Sequence, residues 1–280
     1  VSAGAPPQLS EEDLLVPAAR PTLGKRLRSM SRKYASAIAL IVAILVAWEV
    51  IVRAAHVPEY LLPSPTEILA DLKTDWVILW PAMWVTLREV LIGFVIATVA
   101  GVGLAVLLHL YGPLRRAMYP ILIGSQTIPI IVLAPILVIL LGYGILPKLV
   151  IVALICFFPI VVNGLDGLRA VDDDFIRMMY TLDATRWGIF RRVEFPGALP
   201  SFFSGMRIAA TFASIGAVFG EWSGSNAGLG YVMLAATPNL LTSRIFAAIL
   251  ILTVISLVLF GLVSLLERIL VPWAPRRESA

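Results

Sequence analysis

Long apolar blocks alternate with short charged ones along the chain, and the blocks have the length of membrane crossings. A hydrocarbon core of about 30 Å takes roughly 20 residues of helix at about 1.5 Å each. The first block, Ala35–Val52, has Glu49 as its only charge. Val90–Gly112 holds no Asp, Glu, Lys or Arg and, with Pro81–Glu89 ahead of it, makes a second. Ala117–Pro147 is a third, longer than one straight crossing needs, and Pro129 and Pro135 inside it predict a kinked or broken helix. Leu149–Leu165 with Pro159 is the fourth, Ser201–Gly220 with Arg207 the fifth, and Ile245–Leu266 the sixth. The pattern predicts an all-α polytopic membrane protein with six transmembrane helices.

Composition agrees. Hydrophobic residues make up 59% and charged residues 14%, against about 45–50% and about 25% in soluble domains. Disorder of the bulk is excluded by the same figures, and a disulfide framework by the single Cys156. A cleavable signal peptide is a poor reading of the first block, because a polar, Pro-containing stretch precedes it and no small-x-small site closes it. The net charge of +4 does not indicate nucleic acid, because the cations sit between the apolar blocks. Sixteen of the 22 Lys and Arg fall on one side of the predicted topology: Arg20–Lys33, Arg115–Arg116, Arg169–Arg192 and Arg268–Arg277. Only Arg53, Lys73, Lys148 and Arg244 fall on the other, while Arg88 and Arg207 lie in span ends. The excess predicts cytoplasmic N and C termini. Residues 1–33 read as a cytoplasmic tail whose basic end lies on anionic membrane lipid, 34–57 as a peripheral first span, 58–272 as a five-span core and 273–280 as a second tail.

Helices in lipid associate through small residues that allow close backbone approach. Gly93, Ala97, Gly101 and Ala105 form such a stripe on the second span, and Gly205, Ala209, Ala213 and Ala217 one on the fifth. Both spans are expected at the centre of the bundle. Arg88 and Glu221 mark outer span ends; they either pair as an outer gate or reach separately to the interface. Arg207 is expected to snorkel. His56 and His109 read as isolated interfacial residues, and Cys156 as a packing residue.

The segment from Asp166 to Glu194 is charged yet keeps helical period. Phe175, Met178, Met179 and Leu182 share one face, and Asp172–Asp174 precede them where carboxylates cap a helix. After a break at Asp183, a second short helix carries Trp187, Phe190 and Val193 on one side, with Pro196 and Pro200 expected to end it. Such a pair must bury its aromatic face on lipid or in a partner protein; periodicity does not choose, although the acidic run disfavours anionic lipid.

Thr181–Pro200, TLDATRWGIFRRVEFPGALP, resembles the second half of the cytoplasmic signature loop of binding-protein-dependent ABC importer permeases. LLPSPTEIL at 61–69, QTIPIIVLAPILVILLGYG at 126–144, FFPIVVNGLDGLRAVD at 157–172 and GLGY at 228–231 are similar to the nitrate, sulfonate, taurine and pyrimidine-precursor branch. The resemblance covers about residues 58–272. There are departures: Arg177, Met178 and Met179 stand in place of the Glu-Ala-Ala triplet, and Asp183 in place of its glycine. Asp tolerates φ > 0 better than most residues, so the loop is expected to keep its shape.

The resemblance implies a type I ABC importer permease fold in a bacterial inner membrane. It implies a second, identical permease chain, two cytoplasmic ATP-binding subunits and an extracytoplasmic solute-binding protein. ATPase coupling falls to Leu182, Asp183, Ala184, Thr185, Arg186, Trp187, Phe190 and Arg191 in a loop spanning 166–200. Trp187 and Phe190 are the buried anchors. ATP and its Mg belong to the partner, since GxxxxGK[ST] is missing here; no catalytic, cofactor or metal residue is assigned to this chain. The polar residues at membrane depth, Gln126, Thr127, Asn163, Ser214 and Glu221, are candidates for the translocation path. Gly-Glu-Trp at 220–222 followed by GSNAGLGY is closer to thiamine-precursor and riboflavin-type members, with sulfonate, taurine or nitrate as the alternative cargo. A secondary transporter would need mid-depth coupling carboxylates or inverted repeats. A membrane enzyme would need a recognisable metal or nucleophile site.

Overall fold

The computed structural model describes residues 23–273, with side chains from 35 onward, and over these residues the chain is helical without strands. The first helix, α1 (Leu23–Ala54), lies in a unit of its own that ends at Val57. Over Ala35–Ala54 its apolar residues are almost all exposed, and its early start places the Lys25–Lys33 basic run on a helix and not in a tail. Residues 1–22 and 274–280, which hold most of the two expected tails, lie outside the described residues.

The second unit begins at Pro58. Its first helix, α2 (Pro65–Thr74), starts on a capping box: the Ser64 amide donates to Glu67 Oε2 at 2.6 Å, and the Glu67 amide donates back to Ser64 Oγ at 3.4 Å. This is the physical content of the SPTE run. The helices α3 (Trp76–Leu110), α6 (Ile145–Arg169), α9 (Phe195–Trp222) and α11 (Thr242–Leu270) are each long and apolar enough to cross a bilayer. The pair α4 (Gly112–Ser125) and α5 (Ile130–Leu141) is long and apolar enough for a further span only when taken together, and it turns through 101° at its break.

Of the two prolines expected to disturb that span, Pro129 breaks it and Pro135 does not. Pro129 has no N–H to give and keeps Ile128 out of the α region. Ser125 and Thr127 hydroxyls donate to the carbonyls of Leu122 and Gly124, each at 2.7 Å, closing the frayed end of α4.

α6 packs between α3 and α9, and both small-residue stripes face it. A methyl group on Gly93 would stand 2.6 Å from Val152 Cβ, and one on Gly205 2.6 Å from the Pro159 carbonyl oxygen. The remaining stripe residues are buried with them, so the backbones meet at a distance that no larger residue permits. Cys156 lies in this seam, its thiol donating to the Ala209 carbonyl at 3.4 Å.

Candidate functional site

At one end of the bundle the charged segment forms α7 (Asp173–Thr181) and the single turn α8 (Arg186–Ile189). Asp172 caps α7, its Oδ1 accepting from the Asp174 amide at 2.9 Å. The chain then reverses at Asp183, φ +56, the left-handed conformation that a glycine would take without penalty. The Asp183 amide donates to the Tyr180 carbonyl, and the Ala184 amide to that of Met179, each at 3.1 Å. Thr185 starts α8 by accepting the Gly188 amide at 3.2 Å. The turn between the two short helices therefore forms despite the missing glycine.

Pro196 and Pro200 do not end the second helix. Phe190–Glu194 is a π-helical turn that runs on into α9, with the Phe195 amide donating to the Phe190 carbonyl. Widening the turn just ahead of Pro196 takes the helix past a residue that has no N–H to offer.

The apolar face of this element divides in two. Phe175, Met178, Leu182 and Trp187 are exposed, Trp187 by 61%. Phe190, expected to anchor in a partner, is instead 5% exposed within its own chain. It stacks on Trp187 at 5.2 Å and 27°, with His109 at 6.2 Å and Phe195 at 5.8 Å. Nor is Arg186 free for a partner: Nη1 donates to Glu194 Oε1 at 2.6 Å, although the side chain remains 47% exposed. His109 is not isolated, its Nε2 meeting Glu194 Oε2 at 3.0 Å. The signal for Glu194 in the sequence is that it is the single acid in the Arg-rich run from Arg186 to Pro200. Leu182, Asp183, Thr185 and Arg191 are exposed, and Ala184 is half-buried. Arg207 does not snorkel alone: it pairs with Glu267 and donates to Ser204 Oγ at 2.9 Å.

The opposite end holds a second polar cluster. Glu221, fully buried, does not pair with Arg88, which is exposed. Its Oε1 accepts from Thr86 Oγ1 at 2.6 Å and its Oε2 from the Gly230 and Tyr231 amides at 2.5 and 3.3 Å. These amides open α10 (Leu229–Ala236), so the carboxylate caps that helix. Gly228, at φ +112, lies so close that a methyl group there would overlap the Glu221 carboxyl, which is the steric reason for glycine in GLGY. Beside it, Lys148 Nζ donates to Glu89 Oε1 and Ser225 Oγ, each at 2.7 Å, with the two charged side chains 10% and 2% exposed. Lys148, expected in a loop, therefore lies in the bundle, and its partner Glu89 had no expected role.

The path candidates do not converge. Gln126 and Thr127 are exposed at the α4–α5 bend. Asn163 Nδ2 donates to the Pro159 carbonyl of its own helix at 2.8 Å. Ser214 joins α9 to α11, accepting from Ser256 Oγ at 2.8 Å, and lines a groove of about 420 Å³ with Thr211, Thr253 and Ser256 among aliphatic residues.

Residues 93–273 match the family described as "Binding-protein-dependent transport system inner membrane component". The chain is 39% identical over 237 residues to the formylaminopyrimidine transport permease protein ThiX of Halalkalibacterium halodurans, covering 84% of this chain and 94% of that one. It is 35% identical over 253 residues to the riboflavin transport system permease protein RibX of Chloroflexus aurantiacus, covering 89% and 94%. A solved structure of the inward-facing MetNI methionine ABC transporter shares the fold at TM-score 0.54 and 21% identity, over 69% of this chain and 97% of that one.

Proposed function

Because the chain belongs to the family of binding-protein-dependent transport system inner membrane components, we propose that it forms, with a second identical copy, the path of an ATP-driven importer for a small heterocycle. The cargo is of the aminopyrimidine or flavin kind, handed over outside the cell by a solute-binding protein. Support for this cargo comes from the 39% and 35% identities to the two relatives named above. The Ser214 groove is consistent with it: among its lining residues there are hydroxyls and aliphatic groups but no charge, an environment suited to a neutral, hydrogen-bonding solute.

Two ATP-binding subunits supply the energy and hold ATP and Mg. Each docks on the exposed face of α7 and α8, which lies in the cytoplasm with both chain termini. Closure of the subunits on ATP moves that face and alternates access to the path. The observation that carries the reading is the outward apolar face of Phe175, Met178, Leu182 and Trp187 on an otherwise charged element with a fixed base. A contiguous apolar surface rimmed by polar residues marks a protein interface, and Trp is the residue type most often central to one.

Trp187→Ala combined with Leu182→Ala tests it, since neither side chain is buried in the chain. The double variant is expected to insert normally but to lose its ATP-binding subunits on purification, together with ATP-dependent uptake of formylaminopyrimidine or riboflavin. Retention of the subunits by the double variant defeats the docking assignment. Uptake of taurine in place of both heterocycles defeats the cargo assignment alone.

A further inference from the structure

The base of the α7–α8 element is fastened to one membrane helix through buried polar chemistry. Glu194 is 1% exposed and takes both Arg186 Nη1 at 2.6 Å and His109 Nε2 at 3.0 Å. With Nε2 donating its proton to Glu194, that nitrogen has no lone pair left for Arg186 Nη2, 3.3 Å away. The Glu194 contact thus fixes the ring, and Nδ1 stays buried without a hydrogen-bond partner. Phe190, in the same π turn as Glu194, lies between Trp187 and the His109 ring. His109 is the penultimate residue of α3, which continues unbroken to Trp76. The same helix carries Thr86 and Glu89, which hold Glu221, Lys148 and, through the Leu229 amide, α10. From residue 86 to 109 the helix is about 34 Å long at about 1.5 Å per residue.

We propose that Glu194 and His109 are positioning residues that fasten the ATPase-docking element to α3, so that movement of Trp187 is delivered along α3 to the Thr86/Glu89 cluster at its far end. This rests on the docking reading above. A bond that merely held the loop folded would fix the shape of α7 and α8 but would not be needed for the distant cluster to respond.

The test places a single reactive thiol at exposed Asn226, between α9 and α10, and follows its maleimide labelling with and without ATP plus vanadate. The permease is assembled with its ATP-binding subunits in lipid vesicles. In the Asn226→Cys parent, nucleotide trapping is expected to change the labelling rate by about fivefold or more. His109→Leu in that parent should abolish the change while the subunits stay bound and hydrolyse ATP. His109→Gln, which keeps a side-chain N–H donor, should restore it, and Glu194→Leu, which removes both acceptor oxygens, should behave as His109→Leu does. Unchanged nucleotide response in His109→Leu overturns the proposal, as does a parent that binds its subunits yet shows no response. Loss of the subunits from His109→Leu also overturns it, because the residue then serves docking. A parent that never binds the subunits instead fails the docking reading, and the proposal with it. If Glu194→Leu does not accumulate, the Leu and Gln variants of His109 decide alone.

Discussion

Replacing Lys148 by Met should cost far more than removing a lysine from a surface. An exposed Lys–Glu pair contributes about 0.2–1 kcal/mol. Lys148 and Glu89 sit in the α3–α6 joint with side chains 10% and 2% exposed, and Glu89 Oε2 has no other hydrogen-bond partner to fall back on. Removing one member of such a pair leaves an uncompensated buried charge, at about 3–5 kcal/mol. Ser225 loses less, because its hydroxyl also donates to the Ala227 carbonyl at 2.6 Å. Packing changes little, since Met follows the lysine stem past Gly220, where a methyl group would already come within 3.0 Å of Lys148 Cα. Glu89→Gln should cost about 3–5 kcal/mol by the same argument, because it leaves the Lys148 ammonium buried without its counter-charge. The Lys148→Met/Glu89→Gln double variant should then recover about 1–3 kcal/mol of the summed losses. Unfolding in mixed micelles, followed by helical circular dichroism, measures all three. A Lys148→Met variant within about 0.5 kcal/mol of the parent, or a double variant whose loss equals the sum, refutes the pair as a buried joint.

Gly228→Ala places a methyl group onto the Glu221 carboxyl at φ +112, and should cost about 1–3 kcal/mol from backbone strain alone; Gly103→Ala, with open space around it, is the control, and a comparable loss in both removes the steric account of GLGY. Asp71 in α2 has its pKa raised by burial first and then by Asp75 and Glu59, against a lowering by Arg244. Its ionisation is therefore disfavoured in the fold: the penalty is absent below the ordinary aspartate range, grows as pH rises through the raised value, and is complete above it. Asp71→Asn should raise the midpoint of thermal unfolding at neutral pH and leave it unchanged at acid pH, and the reverse pattern contradicts that sign.

Much of the bundle was legible because one-dimensional patterns encode it. Uncharged runs gave the crossings, four-residue spacing of small residues gave the α3 and α9 faces, and the Asp183 turn followed from the resemblance, which has a glycine at that place. The polar clusters were hidden because their members are far apart in sequence. Lys148 follows Pro147 at the edge of an apolar block and looks like a loop cation until Glu89, 59 positions earlier, is brought beside it. Helical period also could not separate Phe190 from Trp187: it shows which residues share a side, not whether the chain itself or another molecule covers them. The outcome at Pro196 depended on a widened turn, which leaves no compositional mark.

The bend at Gln126–Pro129 constrains the surroundings as much as the chain. It joins two apolar helices, Gly112–Ser125 and Ile130–Leu141, and its residues are exposed. Acyl chains offer no hydrogen bonds, so non-helical backbone among them persists only against protein or an aqueous cavity. A lone copy dispersed in pure hydrocarbon would therefore be an incomplete solute there, and the hinge itself obliges the membrane to supply either company or water at that spot.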